Sequence, residues 1–226
     1  MFQELRNIID FTIRNNTKYS RKNFKELNPE LIKRNFQENL YTEDVLAQHL
    51  TKTPRCYAKI LDVGCKNWFY AQGEYNFFKS FCNEIQLDGI ELDAHRLYTN
   101  FYSRYEVAKY YIGSLNNTNY ISGNLLDIKN SYDYIIWFLP FVLKEPHKYW
   151  GLPLKYFYPQ KLLMHAYSLL NEGGQMLIIN QGEVEANAQV ELFRECRINY
   201  ISLGEITSKH FKYQNSRYGF LVNKKL

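Results

Sequence analysis

The sequence predicts an α/β fold: a doubly wound, mostly parallel sheet with an antiparallel closing strand, preceded by an N-terminal helical extension. Three observations predict it. The run Lys59-Ile60-Leu61-Asp62-Val63-Gly64-Cys65-Lys66-Asn67-Trp68 is apolar and β-branched until it ends in an acid, a glycine and a polar turn, the pattern of a buried parallel strand feeding a loop. Gln86-Leu87-Asp88-Gly89-Ile90-Glu91 is a second short strand ending in a carboxylate. Strand and helix patterns then alternate, and the chain closes on Tyr200-Ile201-Ser202-Leu203 and Tyr218-Gly219-Phe220-Leu221-Val222, joined by a polar loop without a convincing helix, as in an antiparallel pair.

The elements follow in order. Phe2, Leu5, Ile8, Ile9 and Ile13 recur at helical spacing, which predicts an amphipathic helix from Met1 to about Arg14. A second helix has Asn28 as cap, Pro29 in its first turn, Glu30 at its positive end, and Leu31, Ile32, Phe36 and Leu40 on its apolar side. Thr42 caps a third, from Glu43 to about Thr51. These helices form an extension or lid over residues 1–52, ahead of an α/β domain over 53–226. In that domain strands are predicted near Ile60, Leu87, Tyr120, Ile135 and Ile178. Helices occupy the stretches after Trp68, Ala94, Pro159 and Val184. Their buried sides come from Phe77, Phe78 and Phe81, from Leu162, Leu163 and Leu169, and from Val190, Leu192 and Phe193.

Composition narrows the functional classes. With 226 residues, 46% of them hydrophobic, the chain can bury one substantial core. A mean hydropathy of −0.46 without a long uncharged apolar run argues against a membrane span, and Arg6, Asp10 and Arg14 interrupt the first segment in a way no signal peptide tolerates. Cys56, Cys65, Cys82 and Cys196 show neither zinc-ligand nor disulfide-framework spacing, so no metal site is expected and a reduced, cytoplasmic compartment is. The net charge of +5 is mild, with Lys18, Arg21, Lys22 and Lys25 near the start and Lys224 and Lys225 at the end; this reads as solvated surface and leaves an RNA partner open.

The strand run Ile60–Gly64 followed by Gly89-Ile90-Glu91 resembles the class I S-adenosylmethionine-dependent methyltransferase family. Gly123-Asn124-Leu125-Leu126-Asp127, Tyr132-Asp133-Tyr134-Ile135-Ile136-Trp137 and Leu170-Asn171-Glu172-Gly173-Gly174-Gln175-Met176-Leu177-Ile178-Ile179 continue the family's order, so the resemblance spans roughly residues 45 to 224. It implies a Rossmann-like methyltransferase fold, S-adenosylmethionine as donor and S-adenosylhomocysteine as product. The sequence departs from the family at the glycine-rich turn after the first strand. Only Gly64 remains, with Lys66 and Trp68 where further glycines are usual. Either the Lys66 ammonium meets the cofactor's carboxylate and the Trp68 ring walls the pocket, or Lys66 is solvated and Trp68 packs under the next helix.

Ligands of open α/β sheets bind beyond the carboxyl ends of the strands, which directs attention to the residues there. Asp62 ends the first strand, and Cys65 stands in the following loop, where it serves equally well as a small apolar filler. By resemblance Glu91 holds the ribose hydroxyls, Leu92 packs on the adenine face, and Asn124 and Leu125 frame the adenine. The alternative for Glu91 is a salt bridge to a nearby lysine or arginine.

The fourth loop bears on the acceptor. Phe138-Leu139-Pro140-Phe141 resembles in outline the Asn-Pro-Pro-Tyr type of motif of amino-group methyltransferases, yet Leu139 is apolar, which disfavours N-methylation of a base. Beyond it runs a long aromatic loop through Trp150, Tyr156, Phe157 and Tyr158, either a wall around an apolar or planar acceptor or a satellite core. Methyl transfer needs donor and acceptor held in line, and a hydroxyl or acidic carbon also needs a general base. His147 is the candidate, with Glu145 and Glu183 behind it. The expected acceptor is a small or medium-sized molecule, with RNA, or a binding module that has lost its donor pocket, as the alternatives.

Overall fold

Alternation along the strands sets the layers. A computed structural model describes residues 29–98 and 101–225, and in it neighbouring strand residues face opposite cores. Ile60, Tyr134, Ile136, Leu177 and Ile179 face one apolar layer, while Leu61, Ile135, Trp137, Met176 and Ile178 face the other. A sheet apolar on both faces must be covered on both, which is the doubly wound arrangement.

The chain runs α1 (Pro29–His49), β1 (Arg55–Val63), α2 (Ala71–Lys79), β2 (Cys82–Glu91), α3 (Arg104–Ile112), β3 (Thr118–Ser122), β4 (Tyr132–Phe138), α4 (Lys144–Tyr149), α5 (Pro159–Leu169), β5 (Leu170–Gln181), α6 (Gly182–Cys196), β6 (Ile201–Glu205) and β7 (Arg217–Asn223). The sheet order is β3-β2-β1-β4-β5-β7-β6. β1 to β5 are parallel, and β7 is antiparallel to both β5 and β6. Strand order reverses between β1 and β4, so the loops after these two strands flank the crevice. Residues from α1, α2 and α3 cover one face, and α5 and α6 the other.

The N-terminal region differs from the sequence reading. The expected helix from Met1 to Arg14, the cap Asn28 and the first basic cluster lie outside the described residues. Thr42 does not cap a third helix, because Pro29–His49 is one helix and the Thr42 hydroxyl donates to Glu38 O within it over 2.9 Å. Burial of Tyr41, Val45 and Leu46 in the sheet core carries the helix through. Asn39 joins it to the domain, its Nδ2 donating to Phe69 O over 2.9 Å and its Oδ1 accepting from Gly73 N over 2.8 Å. α4 arises within the stretch read as loop. α3 starts on a capping box between Ser103 and Glu106, a signal the alternation pattern does not carry. No described helix is long and apolar enough to cross a membrane.

Candidate functional site

The loop after β1 has a backbone made for glycine. Gly64, Lys66 and Trp68 all lie in the left-handed region, with φ of 72°, 56° and 45°. For the two with side chains this costs about 1–2 kcal/mol each, so other contacts must hold them. Lys66 is tied at both backbone groups: its N–H donates to Glu91 Oε2 over 2.9 Å, and its carbonyl accepts from the Tyr120 hydroxyl. Trp68 is held by burial. Its ring is fully inaccessible, lies against Gly89 so closely that a Cβ there would stand 2.7 Å from it, and donates Nε1 to Glu74 Oε2 over 2.9 Å. The chain thus reaches a glycine-type turn without the glycines.

Glu91 ends β2 beneath this loop. Its Oε1 accepts from Asp93 N over 2.8 Å, and Arg104 Nη1 stands 3.7 Å away. Each carboxylate oxygen keeps a free lone pair, and the residue lines a cleft of about 930 Å³ that opens beyond the strand ends. Lys66 reaches into the same cleft, where its ammonium lies 5.1 Å from the Trp150 ring centroid, and burial lowers its pKa. Arg104 approaches that ring equally, at 5.1 Å.

The donor-side candidates divide into two groups. Gly64, Lys66, Glu91, Leu92, Asn124 and Leu125 line the cleft. Asn124 is oriented there, its Oδ1 accepting from Leu126 N over 3.0 Å and its Nδ2 donating to the Tyr158 hydroxyl over 2.9 Å. Asp62, Cys65 and Trp68 are fully buried behind the loop and do not line it. The expectation that the Trp68 ring walls the pocket is therefore corrected: it fills the gap over Gly89. Asp62 accepts from the Tyr70 hydroxyl over 2.8 Å. Its Oδ1 and the Oε1 of Glu74 have no hydrogen-bond partner, and burial pushes both carboxyls up, Glu74 well above the ordinary carboxylate range.

Solved structures of the same architecture decide the fold. A SAM-dependent methyltransferase from Aquifex aeolicus is 12% identical and matches over 91% of this chain and 98% of its own, with a TM-score of 0.58. A methyltransferase from Pyrococcus furiosus is 16% identical over 99% and 98%, with a TM-score of 0.57. The magnesium protoporphyrin IX methyltransferase from Synechocystis, solved with SAM bound, is 9% identical over 97% of each chain, with a TM-score of 0.53. This is the class I methyltransferase fold. No protein-family model matches the sequence, and no curated protein does.

Within the methyltransferase fold the residues that line the cleft can be set against the groups of S-adenosylmethionine. Gly64 and Gly123 both line it with no atom within 4 Å of where a Cβ would stand, which leaves room for a ligand to lie against backbone. A carboxylate with spare lone pairs and a half-buried ammonium are partners of the kinds that the ribose hydroxyls and the methionine carboxylate of this nucleotide need.

The other half of the cleft lies beyond β4 and β5. Leu139, directly after β4, has φ 58°, and its N–H donates to Ile179 O over 2.7 Å. Non-glycine residues in this region mark constrained sites. His147 lines the cleft between the Phe141 and Phe157 rings. Its Nε2 lies 3.0 Å from Pro153 O, an oxygen that can only accept, so Nε2 carries the hydrogen and Nδ1 is the nitrogen able to take a proton. Glu145 and Glu183 are corrected as base candidates. Both are exposed outside the cleft, Glu145 in the first turn of α4 and Glu183 accepting from the Tyr218 hydroxyl over 3.2 Å. Sequence reasoning missed Glu38, Tyr41, Glu185, Gln189, Tyr213 and Arg217, which α1, α6 and the β7 region bring to this wall. The one local signal was Arg217, a charge opening an otherwise apolar strand.

Proposed function

We propose that the protein is an S-adenosylmethionine-dependent methyltransferase of the reduced cytoplasm that acts on a small or medium-sized acceptor. The observation that carries this reading is Glu91 at the end of β2, fixed to the left-handed β1 loop and facing a cleft. Four free cysteines support the reduced compartment.

When bound, S-adenosylmethionine supplies an electrophilic methyl group on a sulfonium. Glu91 would hold the ribose hydroxyls through its spare lone pairs, and Lys66 the terminal carboxylate through its ammonium. Leu92 and Leu125 would border the adenine, with Asn124 beside them. Asp62, Cys65 and Trp68 support the loop from behind. α1, as the described part of the N-terminal extension, serves as one wall of the site. His147 acts as general base through Nδ1, in an apolar setting that excludes water from the reacting groups.

The lining favours a small acceptor over RNA. Of the two C-terminal lysines, Lys224 is engaged structurally, its Nζ donating to the carbonyls of Tyr167, Ser168 and Leu170 at the end of α5. The left-handed loop geometry speaks against a lost donor pocket. Incubation with methyl-labelled S-adenosylmethionine and separated cell fractions tests the proposal. Label in the small-molecule fraction, absent with Glu91→Gln, supports it; label confined to RNA moves the acceptor assignment; no transfer to any fraction returns the non-catalytic reading.

A further inference from the structure

Arg217 opens β7 at the wall of the cleft opposite the β1 loop, and it is only 9% exposed. Its guanidinium lies 4.5 Å from the Tyr213 ring centroid, and Nη1 donates to Gln181 Oε1 over 2.9 Å. Among the described residues no carboxylate forms an ion pair with it. The acids that face it are committed elsewhere. Glu38 is paired with Arg34 at 3.2 Å, and Glu185 accepts from Gln181 N over 3.0 Å while burial pushes its carboxyl up. Both acids act on the guanidinium through space, yet neither is in direct contact with it, so part of its hydrogen-bonding capacity is unfilled.

Two more donors line the same cleft with nothing to receive them. Gln189 on α6 is 2% exposed and Tyr41 on α1 is 5% exposed, and neither Gln189 Nε2 nor the Tyr41 hydroxyl has a hydrogen-bond partner. A guanidinium and two unfilled donors, contributed by three separate elements, call for one anionic acceptor with in-plane oxygens. The rest of this half is ringed by apolar side chains such as Phe138, Phe141 and Phe157.

Resting on the methyltransferase reading, we infer that the methyl acceptor is an aromatic carboxylic acid whose carboxylate is anchored by Arg217, Gln189 and Tyr41. Arg217 is here a specificity-determining residue. Its planar fork matches a carboxylate in a way a neutral amide cannot reproduce, and the aromatic walls take the ring.

The test is calorimetric titration of the full chain with benzoate, 2-naphthoate and indole-3-acetate against their primary amides, each with and without saturating S-adenosylhomocysteine. At least one acid should bind more than about tenfold tighter than its amide. Arg217→Met should abolish that preference, Arg217→Lys retain part of it, and Gln189→Met weaken it, with the affinity for S-adenosylhomocysteine unchanged in all three. Two variants at Arg217 and one at Gln189 guard against simple misfolding of one. Acids that bind no better than amides, or not at all, overturn the inference. So does loss of S-adenosylhomocysteine binding in a folded Arg217→Met, which would assign the arginine to the donor half. Failure of the wild type to bind S-adenosylhomocysteine would remove the donor reading, while the acid and amide titrations without nucleotide still report on Arg217.

Discussion

The backbone N–H of Lys66 donates to Glu91 Oε2 over 2.9 Å, so the residue that replaces a glycine of the resembling family is fastened to the carboxylate proposed to hold the ribose. Loop shape and ligand recognition therefore share one side chain. Glu91→Gln presents an NH2 group to one of the two N–H donors at this site, Lys66 or Asp93, and removes the charge. Affinity for S-adenosylhomocysteine should fall about 30-fold or more, read by calorimetry. Wild-type affinity would detach Glu91 from the donor site.

Two substitutions at Lys66 separate strain from charge. Lys66→Ala keeps the left-handed strain and loses the ammonium, so nucleotide affinity should drop about tenfold at unchanged stability. Lys66→Gly loses the ammonium too but relieves the backbone, and urea unfolding should show a gain of about 1 kcal/mol over Lys66→Ala. Unchanged nucleotide affinity in both would sink the carboxylate-binding role.

Gly89 allows Trp68 to lie flat on β2. A Cβ there would stand 2.7 Å from the ring, and the ring, fully buried, has nowhere to move. Gly89→Ala should destabilise the protein by about 1–3 kcal/mol in urea unfolding, and weaken nucleotide binding as well, since the same ring fixes the loop. A stability within about 0.5 kcal/mol of wild type would show that the ring can shift.

The two buried carboxyls of Asp62 and Glu74 set a pH dependence. Burial pushes the Asp62 carboxyl up to about 7 and Glu74 well above its ordinary value. A raised carboxyl binds its proton in the native state while the unfolded chain has released it. Stability contributed by each raised carboxyl is therefore present at low pH and is lost as pH rises, from about 4 through 7 for Asp62 and on to higher pH for Glu74, by up to about 1.4 kcal/mol per pH unit for each group. Glu74→Gln leaves an amide to donate to Asp62 and to accept from Trp68, and should flatten the profile over that window. An unchanged slope in denaturant titrations at several pH values would contradict the raised carboxyls.

His147 is buried, so its test must separate base from filler. His147→Gln retains a donor for Pro153 O and most of the volume. Turnover should fall about 100-fold with nucleotide affinity unchanged. Wild-type turnover would make His147 a packing residue only.

The positions of the strands and the closing antiparallel pair were legible because short apolar, β-branched runs and their carboxylate ends are local signals. Ile60, Leu87, Tyr120, Ile135 and Ile178 all fall in strands. The junction in α1 was not legible: Thr42 has the chemistry of a cap, and only burial of Tyr41, Val45 and Leu46 against the sheet turns its hydroxyl back onto Glu38 O. Within the site, residues adjacent to strand ends, Gly64, Glu91 and Asn124, could be read directly. Trp68 could not, because a ring and an absent Cβ at Gly89 match only when β1 and β2 lie side by side. Arg217, Gln189 and Tyr41 lie far apart in sequence on three elements, and no local spacing announces that all three line one cleft.

The most direct measurement is calorimetric titration of the full chain with S-adenosylhomocysteine, alongside NAD and the Glu91→Gln variant. Micromolar binding of S-adenosylhomocysteine, absent for NAD and lost in the variant, is the result expected if the β1 loop and Glu91 form a donor site. No binding of S-adenosylhomocysteine to a folded wild-type chain would contradict it and leave a methyltransferase fold without the activity.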